Sequence, residues 1–186
     1  MLLGILNIIL SAVIGLLALV LLLRFWMQAV RIRPPAQLSQ FTYQLSDWLV
    51  KPLRRVVPGF GGYDWASLLG AALLALATSA LLSMLSGEFM PYPILVRGLL
   101  RLLNWIVYGL SGILLISVIF SWINPMAPLA PFFDALSRPM LRPIRRVLPP
   151  IANIDLSPMA ALILLQIALL LLDELGQFLL RLPALL

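Results

Sequence analysis

The sequence predicts an all-α membrane protein of four transmembrane helices, built as two parallel units of helix, basic amphipathic segment and helix. Three observations predict it. Apolar residues make up 62% of the chain, with mean hydropathy +1.06 and only 11% charged residues, a composition that a water-facing globular domain does not have. Four stretches reach the roughly 20 apolar residues that a span requires: Leu2–Leu23, Trp65–Leu85, Leu99–Trp122 and Leu156–Leu180. One short phrase also occurs twice, 91 residues apart: Lys51-Pro52-Leu53-Arg54-Arg55-Val56-Val57-Pro58 and Arg142-Pro143-Ile144-Arg145-Arg146-Val147-Leu148-Pro149. The register extends to Phe41/Phe132, Leu45/Leu136, Ser46/Ser137 and Asp64/Asp155. It divides the chain into units 1–92 and 93–186.

The first apolar run carries no Lys or Arg before Arg24. It therefore lacks the positive leading region of a signal peptide and exceeds the usual apolar length of one, so it is expected to be retained as a span. The segment after it brings Arg31, Arg33, Lys51, Arg54 and Arg55. The segment after the third run brings Arg138, Arg142, Arg145 and Arg146. Only Arg97, Arg101 and Arg181 lie on the other side, nine basic residues against three. Lys and Arg in short loops set orientation, which places both basic segments in the cytoplasm and both termini outside.

Within each basic segment the spacing is helical. Val50, Leu53 and Val57 repeat at i, i+3 and i+7, as do Leu141, Ile144 and Leu148. Lys51, Arg54 and Arg55, and likewise Arg142, Arg145 and Arg146, share the other side. A short helix with one apolar and one basic stripe lies in the headgroup plane. Pro52 and Pro139 are expected to open its turns and Pro143 to sit in a first turn, because proline lacks an N–H and presets φ. Pro58, Pro149 and Pro150 are expected to stop it. The basic faces suit anionic membrane lipids or an acidic membrane-protein partner. The same charges also serve simply as topology anchors. Nucleic acid is not an expected partner, because the charge abuts the spans.

Asp64 and Asp155 each stand nine residues beyond Arg55 and Arg146, just before a span. Two roles are open: a charge favoured at a helix N-terminus, or an ion pair that clamps the basic helix to the following span. Asp155-Leu156-Ser157-Pro158 suggests a helix start, with Ser157 as N-cap and Pro158 first inside. Gly59, Gly61 and Gly62 loosen the first of these turns, whereas the second has Pro150, Ala152 and Asn153.

In the spans, Asp173 and Glu174 interrupt the fourth run near its outer boundary. They are candidates for an ion site or for surface pairing with Arg97, Arg101 or Arg181. Asn7, Asn104 and Gln166 are expected to hydrogen-bond between helices, Gly109 and Gly112 to permit close packing, and Trp26, Trp105, Trp122 and Tyr108 to lie at span ends in the interface. The chain contains no Cys and no His, which excludes disulfides, thiolate or imidazole metal sites and a His relay. No metal, no cofactor and no enzymatic activity are expected.

Ser121-Trp122-Ile123-Asn124-Pro125, then Arg138-Pro139-Met140-Leu141-Arg142-Pro143-Ile144-Arg145-Arg146, then Asp155-Leu156-Ser157-Pro158, resemble the signature of YggT-family membrane proteins. The first unit matches through Leu23-Arg24-Phe25-Trp26, Pro52-Leu53-Arg54-Arg55 and Asp64, with Trp26 answering Trp122 at an offset of 96. The second unit is the fuller match, since the first lacks Asn-Pro after Trp26 and Ser-Pro after Asp64. The resemblance covers nearly the whole chain in the two-repeat form of Gram-negative bacteria. It implies an integral inner-membrane protein without established enzymatic activity, linked in relatives to osmotic-stress tolerance and cell-division neighbourhoods and, in plastids, to cytochrome haem attachment and nucleoid organisation. Two functions are therefore expected as alternatives: a non-enzymatic organiser or assembly factor acting through the basic segments, or an ion or osmolyte transport component using Asp173 and Glu174.

Overall fold

The computed structural model describes residues 2–87, 89–148 and 155–182, and among these every regular element is helical. There are six helices: α1 Leu2–Ala29, α2 Ala36–Val56, α3 Trp65–Leu85, α4 Pro91–Ile123, α5 Ala130–Val147 and α6 Ser157–Arg181. Four of them, α1, α3, α4 and α6, are long and apolar enough to cross a membrane. Pro149, Pro150, Ala152 and Asn153 lie outside the described residues.

Among the four apolar helices α1, α3 and α4 pack on one another, and α6 packs on the α4 side. Small residues make the close approaches possible. One face of α3 buries Ala66, Ser67, Gly70, Ala71, Ala75, Thr78, Ser79 and Ser83, and such side chains let helix backbones approach in an apolar medium. A Cβ on Gly98 of α4 would stand 3.1 Å from the Leu76 Cα, and one on Gly176 of α6 would meet a Leu100 methyl at 2.8 Å. Gly109 faces Leu19, as its expected packing role requires, but a Cβ on Gly112 would meet nothing within 4 Å. Ala18, Leu21, Val50, Ala66, Ala71 and Trp105 form the cluster that joins α1, α2, α3 and α4.

Three expectations are corrected here. Trp105 is not an interfacial residue. It is 9% exposed and packs against Gly15, because α4 begins at Pro91 rather than Leu99 and so carries Trp105 into the middle of the helix. Pro52, Pro139 and Pro143 do not open turns: they lie inside α2 and α5, which run 21 and 18 residues. The helices persist because Thr42, Ser46 and Val50 in α2, and Phe132, Phe133, Leu136, Ser137 and Leu141 in α5, are buried against the spans. The three prolines are on exposed positions, where water can reach the carbonyls that proline leaves unbonded. Finally, the polar span residues do not bridge helices. Asn7 accepts from Ser11 on its own helix, Gln166 is exposed, and the Asn104 Oδ1 is buried without a partner among the described residues.

Both basic helices lie at the same end of the bundle. Met27 of α1, Leu38 of α2, Phe120 of α4 and Phe132, Phe133 and Leu136 of α5 share one apolar cluster. The Trp26 indole N–H donates to the Leu136 carbonyl at 3.1 Å.

The glycine contacts lead to a stability test. Gly98→Ala and Gly112→Ala gain the same helix propensity, about 1 kcal/mol, but only the first forces Leu76 to move. Thermal melting in detergent is expected to rise for Gly112→Ala and to fall for Gly98→Ala, by the equivalent of about 1–3 kcal/mol.

Candidate functional site

The site begins with an arginine that the apolar helix α1 carries to its polar end. Arg24 follows 23 residues without a basic group, yet it is buried, its side chain 7% exposed. A buried guanidinium must have its donors and charge satisfied, and two elements supply this. From α2, Ser46 accepts from Arg24 Nη1 at 2.6 Å and Asp47 at 2.7 Å. From the start of α3, Asp64 accepts from Arg24 Nε at 3.1 Å. The Tyr43 ring lies 4.7 Å from the guanidinium carbon, close enough for a cation–π contact.

Asp64 is the centre of the network. Its side chain is 1% exposed. Besides Arg24, it accepts from Arg54 Nη2 at 2.6 Å, from Arg54 Nε at 3.3 Å and from Ser67 Oγ at 2.8 Å. One carboxylate thus ties the ends of α1 and α2 to the beginning of α3. Asp64 occupies the N-cap position of α3, but its side chain makes no capping bond to the backbone. Of the two roles open to it, the ion pair is the one realised. Asp47 completes the chain of alternating charges through Lys51, 2.9 Å away.

The electrostatics follow from this geometry. Burial pushes the Asp64 carboxyl up, but the hydrogen bonds from Arg54 and Ser67 and the charges of Arg54 and Arg24 outweigh it and hold it below the usual carboxylate range. The hydrogen bond from Arg24 likewise holds Asp47 low against the opposing effect of burial. Arg54 is raised by its bond to Asp64.

The second unit carries a weaker version. Arg145 Nη2 stands 2.7 Å from Asp155 Oδ2, with side chains 44% and 38% exposed. Asp155 also accepts from the Ser157 backbone N–H at 2.9 Å. Burial raises the Asp155 carboxyl, while Ser157 and Arg145 bring it below the ordinary range. Ser157 was expected as the N-cap and Pro158 as the first helical residue; instead Leu156 holds the cap position, Ser157 is the first helical residue and Pro158 the second. The Asp155 carboxylate takes the amide of that first helical residue, one of the donors a helix start leaves open. Arg138 pairs with Asp134 one turn away at 2.8 Å. Arg142 and Arg146 are exposed and, among the described residues, make no ion pair; Arg55 of α2 is the same. Trp122 is 79% exposed, and Asn124 and Pro125 form the exposed turn that ends α4, where the Asn124 amide donates to Phe120. Among the described residues Trp122 does not repeat the part-buried hydrogen bond of Trp26.

Beside the Arg24–Asp64 network lies a pocket of 330 Å3 whose lining includes Arg24, Arg31, Arg33, Arg54, Gln28 and Tyr43. Arg31 enters it from a strained position. Its φ of 57° is left-handed, and the Ile32 amide bonds back to the Met27 carbonyl while its own bonds to Gln28, the Schellman ending that usually carries glycine. Arg24, Asp47, Arg31 and Arg33 were not among the site residues that the sequence picked out. Arg24 is absent from the repeated phrase: at the offset of 96 its counterpart is Phe120, and at 91 Asp47 answers to Arg138.

At the other end, Asp173 and Glu174 are exposed on α6. Asp173 shares a cavity with Arg97 and Arg101, a poor electrostatic setting for a metal cation, and the described residues hold no metal-ligand cluster.

The ion network sets the expected variant behaviour. Asp64→Asn removes one of the two counter-charges of buried Arg24 and the only one of Arg54 among the described residues, and is expected to cost about 3–5 kcal/mol. Asp155→Asn breaks an exposed pair worth about 0–1 kcal/mol. Detergent melting should separate the two clearly, and near-equal losses would contradict the buried network. The pH dependence has a definite sign. Asp64 and Asp47 have folded values below their unfolded ones, so their stabilisation is fully present above about pH 4, the ordinary aspartate value, and is lost as pH falls through the lowered values. Asp64→Asn should flatten that acid limb.

The CCB3/YggT family model matches residues 3–85 and 96–176. Over 163 residues the chain is 39% identical to the Escherichia coli K12 protein described as uncharacterized protein YggT, covering 87% of this chain and 86% of that one. An uncharacterized protein of Pseudomonas aeruginosa is 37% identical over 160 residues, 80% of this chain and 78% of the relative. A Vibrio alginolyticus protein described by its place in the proC 3′ region is 33% identical over 162 residues, with 85% and 88% covered. No solved structure matches. The chain belongs to the CCB3/YggT family.

Proposed function

We propose that the protein is a non-enzymatic organiser of the inner membrane that holds anionic phospholipid or an acidic membrane partner against the basic end of its helix bundle. The observation that supports this most directly is the convergence of Arg24, Arg31, Arg33 and Arg54 on one pocket, at the end where α2 and α5 expose Lys51, Arg55, Arg142 and Arg146. Guanidinium groups from separate elements offer forked donors suited to phosphate and carboxylate oxygens. Asp64 and Asp47 take up part of the charge of Arg24 and Arg54, and Arg31 and Arg33 remain for a ligand. The amphipathic helices add a surface term, about 1 kcal/mol for each basic group near an anionic membrane.

In this reading the basic end faces the cytoplasm, both termini lie outside, and the two units are parallel repeats that contribute one basic helix each. Exposed apolar side chains at that end, Trp48, Val56, Phe60, Trp122 and Val147, suit headgroup depth, where an aromatic or aliphatic group meets acyl chains beside a charged helix. The links to osmotic tolerance and cell division that the family resemblance implies belong to this organising role.

The strained arginine provides the experiment. Arg31→Gly relieves a left-handed backbone that costs an L-residue roughly 1 kcal/mol, so it is expected to raise thermal stability while weakening retention of phosphatidylglycerol, read by native mass spectrometry against phosphatidylcholine. Unchanged lipid retention in Arg31→Gly combined with Arg33→Gln would remove the basis for the pocket. Orientation is read separately: single cysteines at Val56 and Val147 should both react with an impermeant thiol reagent only after the cytoplasmic face is opened. Labelling from opposite faces would overturn the topology.

A further inference from the structure

The cavity at the opposite end of the bundle, between the first half of α4 and the last turns of α6, has a volume of 510 Å3. Its polar lining is Arg97, Arg101, Asn104 and Tyr108 from α4 and Asp173 and Gln177 from α6, with leucines making most of the rest. α4 and α6 are held together here by Leu100 against Gly176 and by the Tyr92 hydroxyl, which donates to the Leu179 carbonyl at 2.8 Å. This side-chain cluster is separate from the Arg24–Asp64 network, which lies at the other ends of α1, α2 and α3.

Two buried polar atoms in this cavity have no hydrogen-bond partner among the described residues: the donor Arg101 Nε and the acceptor Asn104 Oδ1. Neither Arg97, Arg101 nor Asp173 has an ion-pair partner within 4 Å among the described residues. A buried donor or acceptor left unmade is costly, and a charged side chain in a span is retained where it faces a polar occupant. The cavity therefore offers both signs at once. Guanidinium donors lie on α4, and a carboxylate on α6 and an amide oxygen on α4 act as acceptors.

We propose that this cavity binds the headgroup of a phosphoethanolamine lipid, its phosphate on Arg97 and Arg101 and its ammonium on Asp173 and the Asn104 oxygen, with the acyl chains leaving along the leucines between α4 and α6. The dipolar occupant answers the dipolar lining. A glycerol headgroup could hydrogen-bond Asn104 but brings no positive charge to Asp173, and a bare phosphate would satisfy the arginines while facing Asp173 with like charge. A metal cation would meet two guanidinium groups.

The test uses the full chain carrying Arg31→Gly and Arg33→Gln, which removes the phosphatidylglycerol expected at the basic end, in detergent with equal amounts of phosphatidylethanolamine and phosphatidylglycerol of the same acyl composition, with retained lipid counted by native mass spectrometry. This parent chain is expected to keep phosphatidylethanolamine at least fivefold over phosphatidylglycerol. Arg101→Gln should lower retained phosphatidylethanolamine about tenfold, and Arg101→Lys should restore part of it. Asp173 is exposed, so Asp173→Asn leaves the fold intact and should bring the two lipids to near parity while phospholipid is still retained. Equal retention of both lipids by the parent chain, or an undiminished preference once Asp173→Asn is added to it, would overturn the assignment. So would displacement of the lipid by millimolar inorganic phosphate, which would make the cavity a simple anion site. A preference that survives both phosphate and Arg101→Gln would also overturn it, by placing the lipid elsewhere.

Discussion

The structure depends on the need to satisfy one buried guanidinium. Arg24 stands at the polar end of an apolar helix, where it cannot reach enough water to stay solvated. It is satisfied only if α2 brings Ser46 and Asp47 and the start of α3 brings Asp64. Those bonds orient α2 across the end of the bundle rather than leaving it free on the membrane surface. Once α2 is fixed, Leu49 and Leu53 can close over Gly70 and Val50 can join the α1–α3 cluster. The ion network specifies which way the pieces meet, and the apolar contacts supply most of the adhesion. A buried ion pair is weak evidence for net stability, but breaking one partner is costly, so Arg24 and Asp64 act as a register device between three elements.

The second unit shows what happens when the central arginine is missing. Phe120 stands where the register places Arg24, and its ring packs 5.8 Å from Phe133. Arg138 stands where the register places Asp47. The acidic residue on that helix has moved to Asp134, one turn earlier, where it pairs locally with Arg138. What remains is the Arg145–Asp155 pair, more than a third exposed on both sides. The apolar anchor has grown accordingly: α5 buries Phe132, Phe133, Leu136 and Leu141, whereas α2 buries Thr42, Ser46 and Val50. Each basic helix is fixed by whichever interaction its neighbours permit, an ionic one in the first unit and an aromatic one in the second.

The four long apolar helices were legible in the sequence because a run of about 20 apolar residues has few other uses. An ion pair of Asp64 and Asp155 with the nearby arginines was visible as one of two options because the same spacing occurs twice, and the structure selects Arg54 and Arg145. Arg24 was not legible, for a physical reason. A basic residue after an apolar run is ordinarily a solvated flank, and only the three-dimensional return of Asp64 across 40 positions distinguishes a buried hub from a topology marker. The start of α4 was misplaced as well. Arg97 suggests a span that begins after it, at Leu99, whereas the helix runs from Pro91 through Arg97 and Arg101, and a cavity between α4 and α6 takes up both side chains. The interior prolines were misread because helix propensity argues against them locally. Their exposure and the burial of the opposite face decide otherwise.

Locally unfavourable features are not spread evenly over the molecule. Arg31 holds a left-handed backbone, and Pro52, Pro139 and Pro143 interrupt the hydrogen bonding of two helices. All of them lie at the end that carries the basic helices, while the spans behind them are regular. Strain of this kind persists where surrounding structure over-determines it, and it collects at working surfaces. A glycine at position 31 would end α1 with less strain but would remove a guanidinium from the pocket. Alanines in place of the three prolines would strengthen both amphipathic helices, and they would also restore amide donors on faces that now present only side-chain charge and carbonyl oxygens. A scaffold selected for stability alone would carry neither choice. The concentration of both at one end is the physical reason the proposed function rests on that surface.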